Sequence, residues 1–156
     1  MIEIKIPGYC DLHLEHLVLD YNGTLACDGE LFDGVRECLT ALSELLEIHV
    51  LTADTFGKVR SRIKGIPCRL SILSKENQDL GKLEYVKNLG LSRSVCIGNG
   101  RNDRLMLKES ALGIAVVLKE GAAAETLAAA DVVCPSIVSA LELLQHPMRL
   151  VATLRS

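Results

Sequence analysis

Leu17-Val18-Leu19-Asp20-Tyr21-Asn22-Gly23-Thr24-Leu25 is the stretch from which the rest of the chain can be read. An apolar run leads into a carboxylate where a polar residue and a glycine interrupt it, which predicts a buried strand with Asp20 at its carboxyl end. In an open α/β sheet that end is where ligands meet the protein.

Upstream, Ile2-Glu3-Ile4-Lys5-Ile6 alternates at period two and predicts a half-exposed strand, an edge or a hairpin arm, closed by Pro7-Gly8. His13 and His16 flank Glu15, and a metal reading is open to this trio. Helical H-E-x-x-H spacing is absent, so histidines on a strand face fit better.

Downstream, Asp33 is placed to cap a helix on which Val35, Cys38, Leu39, Leu42 and Leu45 recur at helical spacing. A strand over 47–51 ends in Thr52-Ala53-Asp54, a helix spans about 55–64, and Gly65-Ile66-Pro67 breaks it before a strand over 68–73. The next helix, 78–89, carries Leu80, Leu83 and Val86, with Lys82 in its first turns. Strand 94–97 then runs into Gly98-Asn99-Gly100-Arg101-Asn102-Asp103. A helix to about Ser110, a strand over 113–117, an Ala-rich helix over 122–129 and a short strand over 131–134 follow. Ser136 caps a last helix with Ile137, Ala140, Leu141 and Leu144 on one face, and Pro147 ends or kinks it, leaving 148–156 unassigned. Strands alternating with helices at these lengths predict a doubly wound, mostly parallel α/β sheet with helices on both faces.

The 156 residues suit one domain, 1–156, with one core. Hydrophobic residues at 49% against 24% charged describe a folded chain, and a net charge of −3 offers no broad basic surface for nucleic acid. No apolar run approaches the roughly 18 residues of a membrane span, which makes the cytoplasm the expected location. The six cysteines contain no C-x-x-C pair, so they read as reduced core thiols rather than disulfides or ligands.

The stretch Asp20-Tyr21-Asn22-Gly23-Thr24 resembles the opening D-x-D-G-T motif of the haloacid dehalogenase-like superfamily, with Asn22 in place of the second Asp. Gly98-Asn99-Gly100-Arg101-Asn102-Asp103, Gly113-Ile114-Ala115-Val116 and Ala130-Asp131-Val132-Val133 resemble the phosphorylation domain of P-type ATPases, whose hinge motif reads G-D-G-x-N-D. The resemblance extends from about Leu17 to Leu144 and implies a central nucleophile strand flanked by those ending in Asn99 and Thr52. The intervals that hold cap domains in the superfamily leave no room for one here, so a capless, P-type ATPase-related member is expected.

Carried over residue by residue, the resemblance makes Asp20 the nucleophile that forms an aspartyl phosphate and gives the backbone carbonyl of Asn22 to Mg2+. Thr52 would bind phosphoryl oxygens and Lys82 would neutralise them and orient Asp20, with Lys75 and Lys87 as alternative lysines. Asn99 takes the place of a metal-site carboxylate, and Asp103 would hold Mg2+ directly or through water, with Asn102 in support. Asn22 cannot act as the general acid/base that the second Asp supplies in the phosphatases, and Asn99 lowers the charge that attracts magnesium. The expected function is a slow magnesium-dependent phosphohydrolase or phosphotransferase acting on a small or macromolecular phosphorylated substrate. The alternative is a non-enzymatic module binding phosphate or a partner. Self-association is expected from the missing cap and the apolar tail Met148, Leu150, Val151 and Leu154.

Overall fold

The structure, a computed structural model, describes residues 1–54 and 57–156. Strand β1 (Ile2–Ile6) pairs antiparallel with β2 (Cys10–Leu14), so the first strand is a hairpin arm, with Ile2, Ile4 and Ile6 turned inward. The chain then enters β3 (His16–Asp20). Leu17, Val18 and Leu19 are wholly buried, each contributing about 1.5–3 kcal/mol by leaving water.

Between β3 and Asp33, β4 (Ala26–Cys27) and β5 (Glu30–Leu31) form a small antiparallel hairpin. Helix α1 (Val35–Leu42) starts at Gly34, not at an Asp33 cap: Gly34 holds φ 84°, a left-handed conformation that favours glycine, and no side chain caps the helix. The helix also ends before Leu45, which is exposed, while Leu46 turns into the core.

Strand β6 (Glu47–Thr52), helix α2 (Lys58–Arg62) and strand β7 (Arg69–Ile72) follow. The start of the helix expected over 55–64 lies outside the described residues. Helix α3 (Gln78–Leu89) has the expected span but a different inner face. Leu80 is exposed, and Lys82 and Val86, one turn apart, point inward.

Strand β8 (Ser94–Gly98) leads through a 3₁₀ turn (Arg101–Asp103) into α4 (Arg104–Glu109). Strand β9 (Leu112–Val116), helix α5 (Ala124–Ala129) and strand β10 (Val132–Cys134) complete the alternation. Ser136 caps α6 (Ile137–Gln145) as expected, its hydroxyl accepting the Ser139 N–H at 3.0 Å. Pro147 starts a further helix, α7 (Pro147–Leu154). Leu150 and Val151 are buried within the chain, so most of the apolar tail no longer argues for self-association; Met148 alone stays strongly exposed.

Six strands form one parallel sheet in the order β10-β9-β8-β3-β6-β7. Strand β3 lies inside it, between β8 and β6, as expected. Because side chains alternate between faces, Leu17 and Leu19 join a core with α1 and α6, while Val18 packs with Leu51, Val86, Cys96 and Met106 on the other face. Among the described residues no domain is inserted: the β4–β5 hairpin and α1 fill one interval, and α2 with β7 the other. All six cysteines are free. No helix among the described residues is long and apolar enough to cross a membrane.

Candidate active site

Three neighbouring parallel strands deliver Asp20, Thr52 and Asn99 to one edge of the sheet, where they line a cleft of about 680 Å³. Asp20 Oδ1 accepts a hydrogen bond from Lys82 Nζ at 2.7 Å, and its Oδ2 accepts one from Thr24 Oγ1 at 3.1 Å. Lys82 Nζ also donates to Asp103 Oδ1 at 2.6 Å and to Asn102 Oδ1 at 3.4 Å. Of the three candidate lysines, Lys82 is the one that the fold brings onto Asp20; Lys87 is on the surface beside Glu84, and Lys75 lines the same cleft.

Asp103 lies behind Lys82 and not on the cleft wall. It is fully buried, and its Oδ2 accepts the backbone N–H groups of Asn99 and Gly100 at 3.0 and 2.9 Å. The tight turn 99–103 thus closes on its own carboxylate. Asn99 donates Nδ2–H to Gly121 O at 3.0 Å, which turns its Oδ1 towards Thr24 Oγ1, 3.3 Å away and next to Asp20. Asn22 is exposed on the cleft wall, and Thr52, buried at the end of β6, accepts the Asp54 N–H at 3.1 Å. Among the described residues, the Thr52 hydroxyl is seen only as an acceptor.

Two carboxylates share one ammonium in this buried group. Burial and the like charge of Asp103 push Asp20 up to about 7, against the pull of Lys82 and the Thr24 hydroxyl. Burial opposes the charge on Lys82, but Asp20 and Asp103 outweigh it and hold the ammonium above the usual lysine range. The oxygen donors beside the cleft, the Asp20 carboxylate, the Asn99 amide oxygen and the backbone at Asn22, are of the hard type that suits Mg2+.

Several residues of the site carry no readable signal in the sequence. Gln78, at the start of α3, accepts Asn102 Nδ2–H at 2.7 Å and reaches the cleft, as does Glu120 from the loop after β9. Thr126 donates to Gly100 O at 2.7 Å and braces the same turn. The trio His13, Glu15 and His16 does not come together: His13 pairs with Glu3 and Glu15 with Arg93. His16 instead meets Glu47 and His49.

No protein-family model matches the chain. It is 48% identical over 83 residues to the uncharacterized protein MJ0073 of Methanocaldococcus jannaschii, an alignment covering 51% of this chain and 89% of that one. The chain belongs to the MJ0073 family. The uncharacterized protein MJ0072 of the same organism is 54% identical over 39 residues, covering 25% of this chain and 89% of that one.

Among solved structures, the MJ0073-family chain is similar to 3-deoxy-D-manno-octulosonate 8-phosphate phosphatase of Moraxella catarrhalis, in complex with magnesium ion, phosphate ion and KDO. The TM-score is 0.71 at 19% identity, over 90% of this chain and 93% of that one. The cobalt-bound form of the Haemophilus influenzae phosphatase gives a TM-score of 0.72 at 14% identity, over 92% and 94%. These likenesses show the fold: a mostly parallel haloacid dehalogenase-like sheet wrapped by helices.

Proposed function

We propose that this MJ0073-family protein is a magnesium-dependent phosphohydrolase or phosphotransferase in which Asp20 accepts the phosphoryl group. The observation that carries the reading is the buried Asp20 carboxylate lining the cleft, oriented by Lys82 at 2.7 Å and Thr24 at 3.1 Å. An Asp20 oxygen attacks phosphorus, the bond from phosphorus to the leaving oxygen breaks, and an aspartyl phosphate results. Lys82 and the Thr52 hydroxyl stabilise charge on the transferred oxygens, the main way proteins catalyse this chemistry. Mg2+, held by Asp20, the Asn22 carbonyl and Asn99, with Asp103 behind them, would neutralise further phosphoryl charge. Asn22 supplies no proton to the leaving group and activates no water, so the aspartyl phosphate forms slowly and persists.

The motif in 98–103, with no domain inserted among the described residues, supports a capless, P-type ATPase-related assignment. The open cleft suits a small or macromolecular phosphorylated substrate, and six free thiols fit a reducing compartment such as the cytoplasm. The neutral Asn22 and Asn99 favour a second reading, a phosphate- or partner-binding module without turnover.

Incubation with acetyl phosphate and Mg2+, followed by intact mass spectrometry, separates the two. The enzyme reading expects one added phosphoryl group in the parent and none in Asp20→Asn. Failure of the parent to acquire it, with phosphate still binding the cleft, selects the binding module.

A further inference from the structure

At the opposite end of the sheet, the amino-terminal residues of β3 and β6 bring together side chains that phosphoryl transfer does not use. His16 and Glu47 are direct register partners, and His49 lies two residues further along β6 on the same face. His49 Nε2 is 3.3 Å from His16 Nδ1, His16 Nδ1 is 3.6 Å from Glu47 Oε2, and His49 Nε2 is 3.8 Å from that same oxygen. The His16 and His49 rings are tilted by 60°, not stacked, and meet through their nitrogens.

We propose that His16, His49 and Glu47 bind one divalent transition-metal ion of the zinc class, at a site separate from the Asp20 cleft. Ligands about 2.0–2.1 Å from a tetrahedral ion lie about 3.3 Å from one another. The three separations in this cluster, 3.3 to 3.8 Å, therefore need only a small contraction. Two imidazoles and one carboxylate are a donor set that such ions favour, with the fourth position left to water. Asp20 lies four residue steps along β3 from His16, about 13 Å of extended chain, so neither site shares a ligand with the other.

The surroundings of His49 match those of a metal-ligating imidazole. Its Nδ1 faces Tyr85 Oη at 2.9 Å, and in the tautomer that donates Nδ1–H to that oxygen, Nε2 presents its lone pair to His16 and Glu47. The ring is fully buried, whereas the Glu47 side chain is 55% exposed, giving the ion a way in from solvent. Arg69 Nη2 is 3.8 Å from Glu47 Oε2, but its side chain is 70% exposed and can swing away.

The test is a Co2+ titration of the reduced full chain in excess Mg2+, which occupies hard oxygen sites, read by the visible absorption of tetrahedral Co2+ and repeated with Zn2+ by calorimetry. One equivalent should bind with a tetrahedral spectrum lacking thiolate charge transfer, and Zn2+ should displace it. Glu47→Gln changes an exposed side chain and should keep the fold while losing the spectrum, as should His16→Gln. Tyr85→Phe, which removes only the partner of Nδ1, should weaken binding about 10–100-fold. No tetrahedral spectrum in the parent, or a spectrum unchanged in both ligand variants, would overturn the proposal.

Discussion

Lys82 and Asp20, 62 residues apart in the chain, are joined by a buried hydrogen bond of 2.7 Å from Nζ to Oδ1. The same ammonium holds Asp103, so one positive charge compensates two carboxylates. Lys82→Met would leave both acids buried without their counter-ion, and should cost about 3–5 kcal/mol at neutral pH. The loss should shrink as the pH is lowered and the acids protonate. Urea unfolding at two pH values measures it. Asp20→Asn retains an acceptor for Lys82 and should change stability by no more than about 1 kcal/mol.

Metal-free Asp20 is held up to about 7 by burial and by Asp103. In the proposed mechanism only the ionised form would attack phosphorus, so the competent fraction should rise with pH through that region. Mg2+ beside the carboxylate favours the charged form and should move the midpoint down. The Asp20 carboxyl carbon, followed by NMR with and without Mg2+, reports both values; a metal-free midpoint in the ordinary range near 4 would contradict the burial argument.

The amides of the cleft affect different steps. Asn22→Asp should raise turnover of p-nitrophenyl phosphate by about 10²–10⁴-fold if the pocket aligns its new carboxyl with the leaving oxygen. Asn99→Asp should tighten Mg2+, but it replaces the Nδ2–H donor that Gly121 O accepts at 3.0 Å. An unsatisfied carbonyl facing a carboxylate should cost about 1–3 kcal/mol without the metal, part of it recovered when Mg2+ binds. Calorimetry and thermal unfolding with and without Mg2+ check this pair of opposite effects.

His49 is held down to about 4 by burial first and by the neighbouring His16 second. The folded ring thus binds fewer protons than the unfolded one between pH 6.5 and about 4. Stability supplied by keeping it neutral is complete above about 6.5 and is lost as the pH falls towards 4, up to about 3 kcal/mol. Ring proton shifts of metal-free protein should show His49 uncharged at pH 5.5; a normal titration there would contradict it.

Gly98 leaves no room for a side chain, because an added Cβ would lie 2.4 Å from Asp103 Cγ. Asp103 is pinned by Lys82 and two backbone N–H groups, so Gly98→Ala should displace it and cost about 3 kcal/mol. The urea midpoint should fall, and acetyl phosphate labelling of Asp20 should fall with it.

The alternation of apolar runs and amphipathic segments was enough to predict a parallel α/β sheet, and the resemblance carried by 20–24 and 98–103 put the strands ending at Thr52 and Asn99 on either side of the Asp20 strand, where they lie. Period-two and period-3.6 patterns are local, and the carboxyl ends of parallel strands necessarily fall together. Local pattern alone did not orient α3: Leu80 looked like a core residue and is exposed, because burying Lys82 between two carboxylates sets the helix face. The sequence also left Lys75 and Lys87 open beside Lys82, and gave no hint that His16 would pass over Glu15 to meet His49. Those outcomes depend on which strands become neighbours and in what register, and on charge compensation across tens of residues. Sequence periodicity carries the first-order fold; only the assembled sheet decides which side chains share a buried charge or a ligand.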